Sequence, residues 1–208
     1  MISLLSQNPT LYLMVILIVV FSVSAHEYAH ARAALWQGDS TAADLGHLTL
    51  NPIKQMGIIS LVMLFVIGIA WGQVPVNPSR MKHRYSAGLV AFAGPFTNIM
   101  LFIVFSLSAA IISVKGFDKA AFMFFSYGAV MNIVLFLFNM IPVPPLDGYT
   151  VIGYLFPGIN NINQELKNGA IFLLFIMLFF SFRYIMEAGF RITEFLIRVF
   201  ISALSAII

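Results

Sequence analysis

The sequence contains no cysteine, which excludes disulfide bonds and thiolate metal ligands. Charge is also scarce: Asp, Glu, Lys and Arg make up 9% of the 208 residues, against about 25% in an average soluble domain. Hydrophobic residues make up 61%. Because so little charge cannot cover a surface that faces water, we predict an integral membrane protein. The net charge of +3 is too small to indicate a nucleic-acid partner.

Long apolar runs predict the fold class, an all-α polytopic membrane protein. We expect a core of three helices, at about 9–35, 86–114 and 120–141. The first run lacks the basic start and the cleavage site of a signal peptide, so it is interpreted as a retained span. The last apolar run predicts C-terminal helices over 168–208. All of 1–208 is expected to form one membrane-embedded domain with its core at about 9–155.

The segment 36–85 does not fit a simple crossing. HLTL at 47–50 alternates Thr and Leu, which favours a short β-hairpin. The apolar run at 57–71 is shorter than the roughly 20 residues that a crossing helix needs. We therefore predict a β-hairpin followed by a re-entrant segment.

Two histidines and a glutamate stand near the end of the first apolar run, in HEYAH at 26–30. His26 and His30 are four residues apart, so on a helix both imidazoles lie on one face and can share a Zn²⁺ ion. In an H-E-x-x-H motif the adjacent residue, here Glu27, serves as general base toward water. The alternative is a pair of histidines that only bond within a bundle. Ionisable groups inside a span are costly, which favours the functional interpretation.

A catalytic zinc site needs a third protein ligand and one open position. The remaining candidates are Asp39, Asp44, His47, His83, Asp118, Asp147 and Glu165. Asp147 is the best of them, because the prolines of IPVPPLDG interrupt the preceding helix. Irregular backbone at membrane depth is tolerated only where it is buried or lines a cavity. An ordinary interfacial turn is the alternative there, and His47 as a fourth ligand stays open.

HEYAH, GHLTLNP, VPVNP, AFAGPFTN and FNMIPVPPLDG follow one another over residues 20–155. In this order the chain resembles the site-2 protease family of intramembrane metalloproteases, and within it the short branch without a PDZ or CBS domain. The resemblance implies that His26, His30 and Asp147 bind zinc. It also implies that Glu27 is the general base and that Asn139 stabilises an oxyanion as a neutral donor. An interhelical hydrogen bond is the alternative role for Asn139.

These features predict an intramembrane zinc endopeptidase that hydrolyses peptide bonds in or near the membrane-spanning segments of other membrane proteins. Its partners would be transmembrane substrates, with a membrane-protein regulator as a further candidate. The alternatives are a zinc transporter and a catalytically inactive scaffold. Ligands clustered at one depth disfavour a conduit, and the intact Glu27 disfavours a scaffold.

The site also predicts a topology. His30 and Asp147 meet only if the first and third core helices end on the same side of the membrane. The polar loops 36–55 and 72–85 then share that side, and 57–71 must fold back. Loop 72–85 carries three basic residues and no acid, so the positive-inside rule predicts a multi-pass protein of the cell membrane with its site toward the cytoplasm.

Two further patterns lie outside the zinc motifs. Small residues in AFAGPFTN, 91–98, predict close packing of the second core helix against the zinc helix, with Asn98 as structural glue or as a hydrogen-bond partner near the site. Charges of alternating sign recur every three or four residues near the C-terminus, at Arg183, Glu187, Arg191, Glu194 and Arg198. On a helix they form one stripe, either the polar face of an interfacial helix or a docking face.

Overall fold

The computed structural model of the protein describes residues 2–116, 118–156, 158–159 and 163–206. The described residues form α-helices, short 3-10 turns such as Pro78–Arg80, and no strand. The helices are α1 (Ile2–Gln7), α2 (Pro9–Trp36), α3 (Thr41–Asp44), α4 (Pro52–Gln55), α5 (Gly57–Val66), α6 (Ser86–Lys115), α7 (Lys119–Asn139), α8 (Asp147–Leu155) and α9 (Gln164–Ser205). Ile207 and Ile208, at the end of the predicted C-terminal region, lie outside the described residues.

Three helices, α2, α6 and α7, are long and apolar enough to cross a membrane, which confirms the predicted multi-pass architecture. Local signals fix their ends. The Asn8 side chain accepts a hydrogen bond from the backbone amide of Leu11 and so caps α2, whose first residue is a proline. Asp118 caps α7 in the same way. Helix α7 ends at Asn139, two residues before the predicted end, because the proline-rich segment that follows cannot continue a helix.

Helix α6 lies at the centre and packs against α2, α7, α8 and α9. It runs antiparallel to α2, since His26 bonds to Asn98 and His30 bonds to Val90. Helices α2 and α7 therefore end on the same side. We call the end of the bundle at Trp36, Ser86 and Asn139 the site face, and the opposite end, where α6 meets α7, the far face.

The prediction of a β-hairpin is wrong for the described residues. The segment around His47 and Thr49 forms bends, not a strand. The side-chain amide of Gln55 donates to the carbonyls of both residues, which a strand partner would otherwise satisfy. The Thr49 hydroxyl accepts a hydrogen bond from the backbone amide of Asn51, and the side chain of Asn51 in turn caps α4. Turn chemistry therefore prevails over the short Thr–Leu alternation.

The segment after α4 folds back on itself. Helix α5 leads away from the site face, and the Tyr12 hydroxyl donates to the Phe65 carbonyl near the start of α2. The chain then returns without regular helix, so that the Ser60 hydroxyl bonds to the backbone of Trp71. At the site face the amide of Gln73 donates to Gln55. Both ends of this hairpin-shaped segment therefore lie at the site face.

The C-terminal region is one continuous helix, α9, rather than the several helices that the sequence predicts for 168–208. Its C-terminal part, from about Gly189 onward, packs on the bundle. Gly189 lies against Val134 of α7, and Ile197 packs against Ala109 and Ala110 of α6.

Candidate metal centre and active site

Three side chains that are far apart in the sequence converge at the site face. His26 and His30 come from α2, and Asp147 is the first residue of α8. The His26 Nε2 atom lies 2.9 Å from His30 Nε2 and 3.0 Å from Asp147 Oδ2. His30 Nε2 lies 3.4 Å from the same carboxylate oxygen. Both histidines are buried.

The other ring nitrogens determine which atoms face the centre of this cluster. His30 Nδ1 lies 2.7 Å from the carbonyl oxygen of Val90, which can only accept a hydrogen bond. His26 Nδ1 lies 2.6 Å from Asn98 Oδ1. Each Nδ1 therefore carries the proton of the neutral ring, and each Nε2 presents a lone pair. Two lone pairs and a carboxylate oxygen then point to one place, which a cation fits.

A chain of hydrogen bonds fixes the orientation of Asn98. The carbonyl of Gly128 accepts from Asn132 Nδ2, so the Oδ1 atom of Asn132 faces the other way. That oxygen accepts from Asn98 Nδ2 at 3.0 Å, which leaves Asn98 Oδ1 to accept from His26. Both asparagines are fully buried. A backbone carbonyl of α7 thus sets the tautomer of His26 through two amides.

No motif in the sequence marks Asn132. For Asn98 the sequence predicts structural glue or a hydrogen-bond partner near the site, and in the structure Asn98 bonds to His26 of the cluster. Asn132 is one polar residue within an apolar helix, and its spacing relates it to no motif. A buried polar residue in a span is itself a signal of function, and this was the sole signal available for Asn132.

Gly94 keeps the space beside the two imidazoles open. A Cβ atom added there would collide with Nε2 of both His26 and His30. This close approach of α6 to the zinc-motif helix agrees with the small residues of AFAGPFTN. The space that Gly94 leaves open therefore lies where the three donor atoms converge.

Glu27 lines a cavity of about 700 Å³ beside the cluster. The cavity is bounded by residues of α2, α6, α7 and α8 and by the irregular segment that returns after α5, among them Val23, Trp71, Gly72, Val74, Ala91, Leu135 and Asn139. Most of these side chains are apolar. Gly72 lies so close to Glu27 that a Cβ atom at this position would collide with the carboxylate. Glu27 is therefore held between α2 and the returning segment.

Asn139 lies in the wall of the same cavity. Its amide nitrogen donates at 3.0 Å to the carbonyl of Leu135, one turn earlier in α7. The amide has a second N–H in addition to the one in this bond. The structure therefore brings Asn139 to the cavity, and the hydrogen bond to Leu135 lies within its own helix.

The other ligand candidates have different roles in the structure. His47 lies in a separate pocket with Lys54 and Gln55. Asp118 caps α7, and Asp44 forms an exposed ion pair with Arg80. Among the described residues, the cluster at the site consists of His26, His30 and Asp147 alone.

Asp39 anchors the loop that closes the site face. This buried carboxylate accepts from the backbone and hydroxyl of Thr41 and from the backbone amide of Asn77. Burial alone would raise the pKa of Asp39, but these hydrogen bonds, together with the nearby charge of Arg80, lower the pKa below its usual value. The carboxylate is therefore ionised at neutral pH and holds the segment around Asn77 to the end of α2.

Comparison with known proteins identifies the family. The model of peptidase family M50 matches residues 109–182, which include Asp147 and begin after HEYAH. "Putative zinc metalloprotease YwhC" of Bacillus subtilis (strain 168) is 39% identical over 176 residues, covering 81% of this chain and 80% of the relative. The chain belongs to peptidase family M50. The M50 family is the site-2 protease family, so the predicted resemblance is confirmed, and the chain is a zinc metalloprotease.

A second relative agrees with this assignment. "Putative zinc metalloprotease Rip2" of Mycolicibacterium smegmatis (strain ATCC 700084 / mc(2)155) is 30% identical over 173 residues, covering 76% of this chain and 63% of the relative. No solved structure matches the chain.

The cluster in this M50 protease has the composition and size that zinc requires. Zinc prefers imidazole nitrogen and carboxylate oxygen when thiolates are absent. Tetrahedral bonds of about 2.0–2.1 Å place neighbouring donor atoms about 3.3 Å apart. The donor separations of 2.9, 3.0 and 3.4 Å are close to that value. Three protein donors also leave one position for water or substrate.

Substitution of Asn98 by Ala is expected to weaken zinc binding by roughly 10–100-fold, the usual effect of losing a residue that orients a metal ligand. It removes the acceptor of His26 Nδ1–H and leaves the Asn132 carbonyl oxygen without its partner. Titration of the purified protein with a competing chelator measures the affinity. Ser108→Ala is the control, since this serine of the same helix donates to the carbonyl of Val104 in its own helix. Unchanged affinity in Asn98→Ala would contradict the orienting role.

Proposed function

We propose that this M50 protease is an intramembrane endopeptidase, with zinc held by His26, His30 and Asp147 and with Glu27 as general base. One observation carries the proposal: the donor cluster and Glu27 lie on or against α2, a helix apolar enough to cross a membrane, beside a mostly apolar cavity. A soluble peptide, whose side chains are mostly polar, gains little binding free energy in such a cavity. An apolar segment of a membrane protein fits its lining.

Zinc, when bound, acts as a Lewis acid toward the scissile carbonyl and makes water a better nucleophile. Glu27 accepts the proton of the attacking water, as its place beside the cluster allows. The water oxygen forms a bond to the carbonyl carbon, the C–N bond breaks, and Glu27 returns the proton to the leaving amine. The products are an amine and a carboxylic acid, which carries the second proton of the water and ionises by releasing it to solvent.

We assign to Asn139 the hydrogen bond to the oxyanion that develops on the scissile carbonyl. Asn139 lies in the wall of the cavity that Glu27 also lines, and a neutral amide donates without introducing a charge into an apolar site. Its second N–H is the donor in this proposal.

The substrate has to be unwound before it is cut. In a transmembrane helix each carbonyl accepts a bond from the amide four residues later and is surrounded by the backbone. The cavity beside Glu27 is lined by α2 and by the irregular segment that returns after α5, and we expect a substrate to enter it as a locally extended chain. We therefore expect cleavage near helix-breaking residues of the substrate.

We infer that the site face is cytoplasmic. Loop 72–85 belongs to this face and carries three basic residues without an acid, whereas the far-face turn 115–119 carries two basic residues and one acid. The chain has no cysteine, so single cysteines report sidedness directly. A membrane-impermeant maleimide should label Lys119→Cys on intact cells and Ser79→Cys only after the membrane is opened. The reverse labelling would contradict this orientation.

Proteolysis by the purified protein tests the proposed function. The zinc-loaded protein is incubated in detergent with a panel of single-span membrane proteins and, separately, with unfolded soluble proteins. We expect cleavage of some single-span proteins, loss of cleavage with a chelator and recovery on addition of zinc. Cleavage of the soluble proteins alone would show a zinc protease of another substrate class.

Substitution of Gly72 by Ala is expected to reduce cleavage by roughly 100-fold while zinc remains bound, because a displacement of about 1 Å in a catalytic group has this effect. The added methyl group occupies the place of the Glu27 carboxylate, whose atoms are its three nearest neighbours. Cleavage rate and zinc content are measured on the same sample. Gly169→Ala, where a Cβ atom meets open space, is the matched control. A wild-type rate in Gly72→Ala would show that this close contact does not position Glu27.

A further inference from the structure

A second pocket adjoins the cavity that Glu27 lines. It has a volume of about 300 Å³, and Trp71 and Gln73 line both spaces. The rest of its wall consists of the end of α4, the start of α5, His47 and Pro75. Because α5 begins at this pocket and leads away from the site face, the pocket lies at the site face itself. A chain that leaves the cavity toward the site face therefore passes close to it.

Gln55 holds the walls of this second pocket together. Its side chain is buried, and its amide nitrogen donates to the backbone carbonyls of His47 and Thr49. The remaining atom of that amide, Oε1, can only accept, and it lies 3.4 Å from Nδ1 of His47. The backbone carbonyl of Gln55 accepts from the amide of Gln73. One buried residue therefore fixes the bend at 47–49, helix α4 and the returning segment around one space.

The second pocket carries a positive charge that no described residue neutralises. Lys54 lines it and has no ion-pair partner in the described part of the chain, and the lining includes no acid. The side-chain amide of Gln73 likewise has no hydrogen-bond partner among the described residues. By contrast, Arg80 of the same face is paired with Asp44. An ammonium group and an amide donor in one pocket favour a ligand with negatively charged oxygen atoms.

We propose that this pocket binds an acidic side chain of the substrate, on the cytoplasmic side of the hydrolysed bond. The inference rests on the proposed function. Gly72 lies against Glu27, and Pro75, which lines the second pocket, follows three residues later. At about 3.3 Å per residue an extended segment covers about 10 Å between them. An extended substrate covers the same distance with about three residues, so the acid should lie about two to four residues from the hydrolysed bond.

Such a pocket separates one class of membrane proteins from the rest. The cytoplasmic flanks of membrane spans are rich in Lys and Arg, and Lys54 repels a basic side chain at this position. An acidic side chain instead gains a charge-assisted hydrogen bond from the ammonium group. The protease should therefore prefer spans whose cytoplasmic end carries Asp or Glu close to the apolar segment.

Three versions of one single-span substrate test the proposal. They carry Glu, Gln or Lys at one position, which is moved from two to four residues beyond the hydrolysed bond. With the wild-type protease we expect kcat/KM to be roughly tenfold higher for Glu than for Lys at one of these positions, with Gln between them. The protease variant Lys54→Glu should reverse this order, and Lys54→Gln should remove the difference. Zinc content shows that each variant is folded.

Lys82→Glu is the matched control. Lys82 is another exposed lysine of the site face, but its side chain lies over Gly38 and outside the second pocket. This variant should keep the wild-type order of the three substrates. A reversed order in Lys82→Glu would show that the general positive potential of the face selects the substrate, and this would overturn the assignment to the pocket.

Equal cleavage of the three substrates at every position would overturn this inference and leave the proposed function intact. Cleavage of none of them would overturn the proposed function, and the inference with it. Binding gives a second readout, because fluorescently labelled substrates should bind to the Glu27→Gln protein in the order Glu, Gln, Lys. If added phosphatidylglycerol removes that order in Glu27→Gln, the pocket takes a lipid phosphate, which would overturn its assignment to the substrate.

Discussion

Glu27→Gln is expected to lower cleavage of a single-span substrate by roughly 10²–10⁴-fold, the range that a general acid–base group contributes. Zinc content should equal that of the wild type. The variant keeps the shape of the side chain and the place between α2 and Gly72, so the fold and the donor cluster are unaffected. It removes only the group that accepts the proton of water. Product formation and zinc per polypeptide are measured on the same purified sample.

Glu165→Gln is the control for this experiment, because Glu165 is an exposed acid in the first turn of α9 and lies outside the donor cluster. It should keep full activity. Cleavage by Glu27→Gln at a rate near that of the wild type would remove Glu27 from the mechanism. Loss of zinc from Glu27→Gln would indicate that Glu27 supports the metal rather than the proton transfer.

Asp147→Ala is expected to lose both zinc and activity. Asp147 supplies one of three donors, and its carboxylate is the sole negative charge in the cluster. Removing a residue that only orients a metal ligand weakens zinc binding by roughly 10–100-fold. Removing a ligand itself should weaken zinc binding by more than that. Zinc per polypeptide, measured by elemental analysis after dialysis against a chelator, gives the result directly.

Asp44→Ala serves as the matched control, because the Asp44 carboxylate is exposed and pairs with Arg80 on the surface. It should retain zinc and cleavage. If Asp147→Ala holds zinc as tightly as the wild type, the ligand set is wrong, and the convergence of α8 with α2 has another cause.

The spanning helices could be predicted from the sequence because their signals are local. Apolar runs set their extent, and Asn8, Asp118 and Gly116 mark their ends through caps and a left-handed turn. The β-hairpin at 47–50 was wrong because alternation over four residues does not show which group pairs with the backbone. Gln55 supplies that pairing from the next helix, and its role depends on the fold.

The parts of the site that lie within sequence motifs could be predicted. The spacing of His26 and His30 is a property of one helix, and the prolines before Asp147 mark the irregular segment that carries it. The hydrogen bonds from Gly128 through Asn132 to Asn98 join different helices, so no sequence spacing contains them. The alternating charges of α9 are visible in the sequence, but the contacts of Gly189 and Ile197 that pack α9 on the bundle join different helices and are not.

The measurement that tests the central proposal most directly is the position of the cut. A single-span substrate is digested by the zinc-loaded protein, and mass spectrometry of the two products identifies the hydrolysed bond. We predict hydrolysis of a bond inside the apolar span, in its cytoplasmic half, and we expect that Glu27→Gln does not form these products. A bond in a water-exposed loop, or in the half of the span away from the cytoplasm, would contradict an intramembrane site at the face where His26, His30 and Asp147 meet.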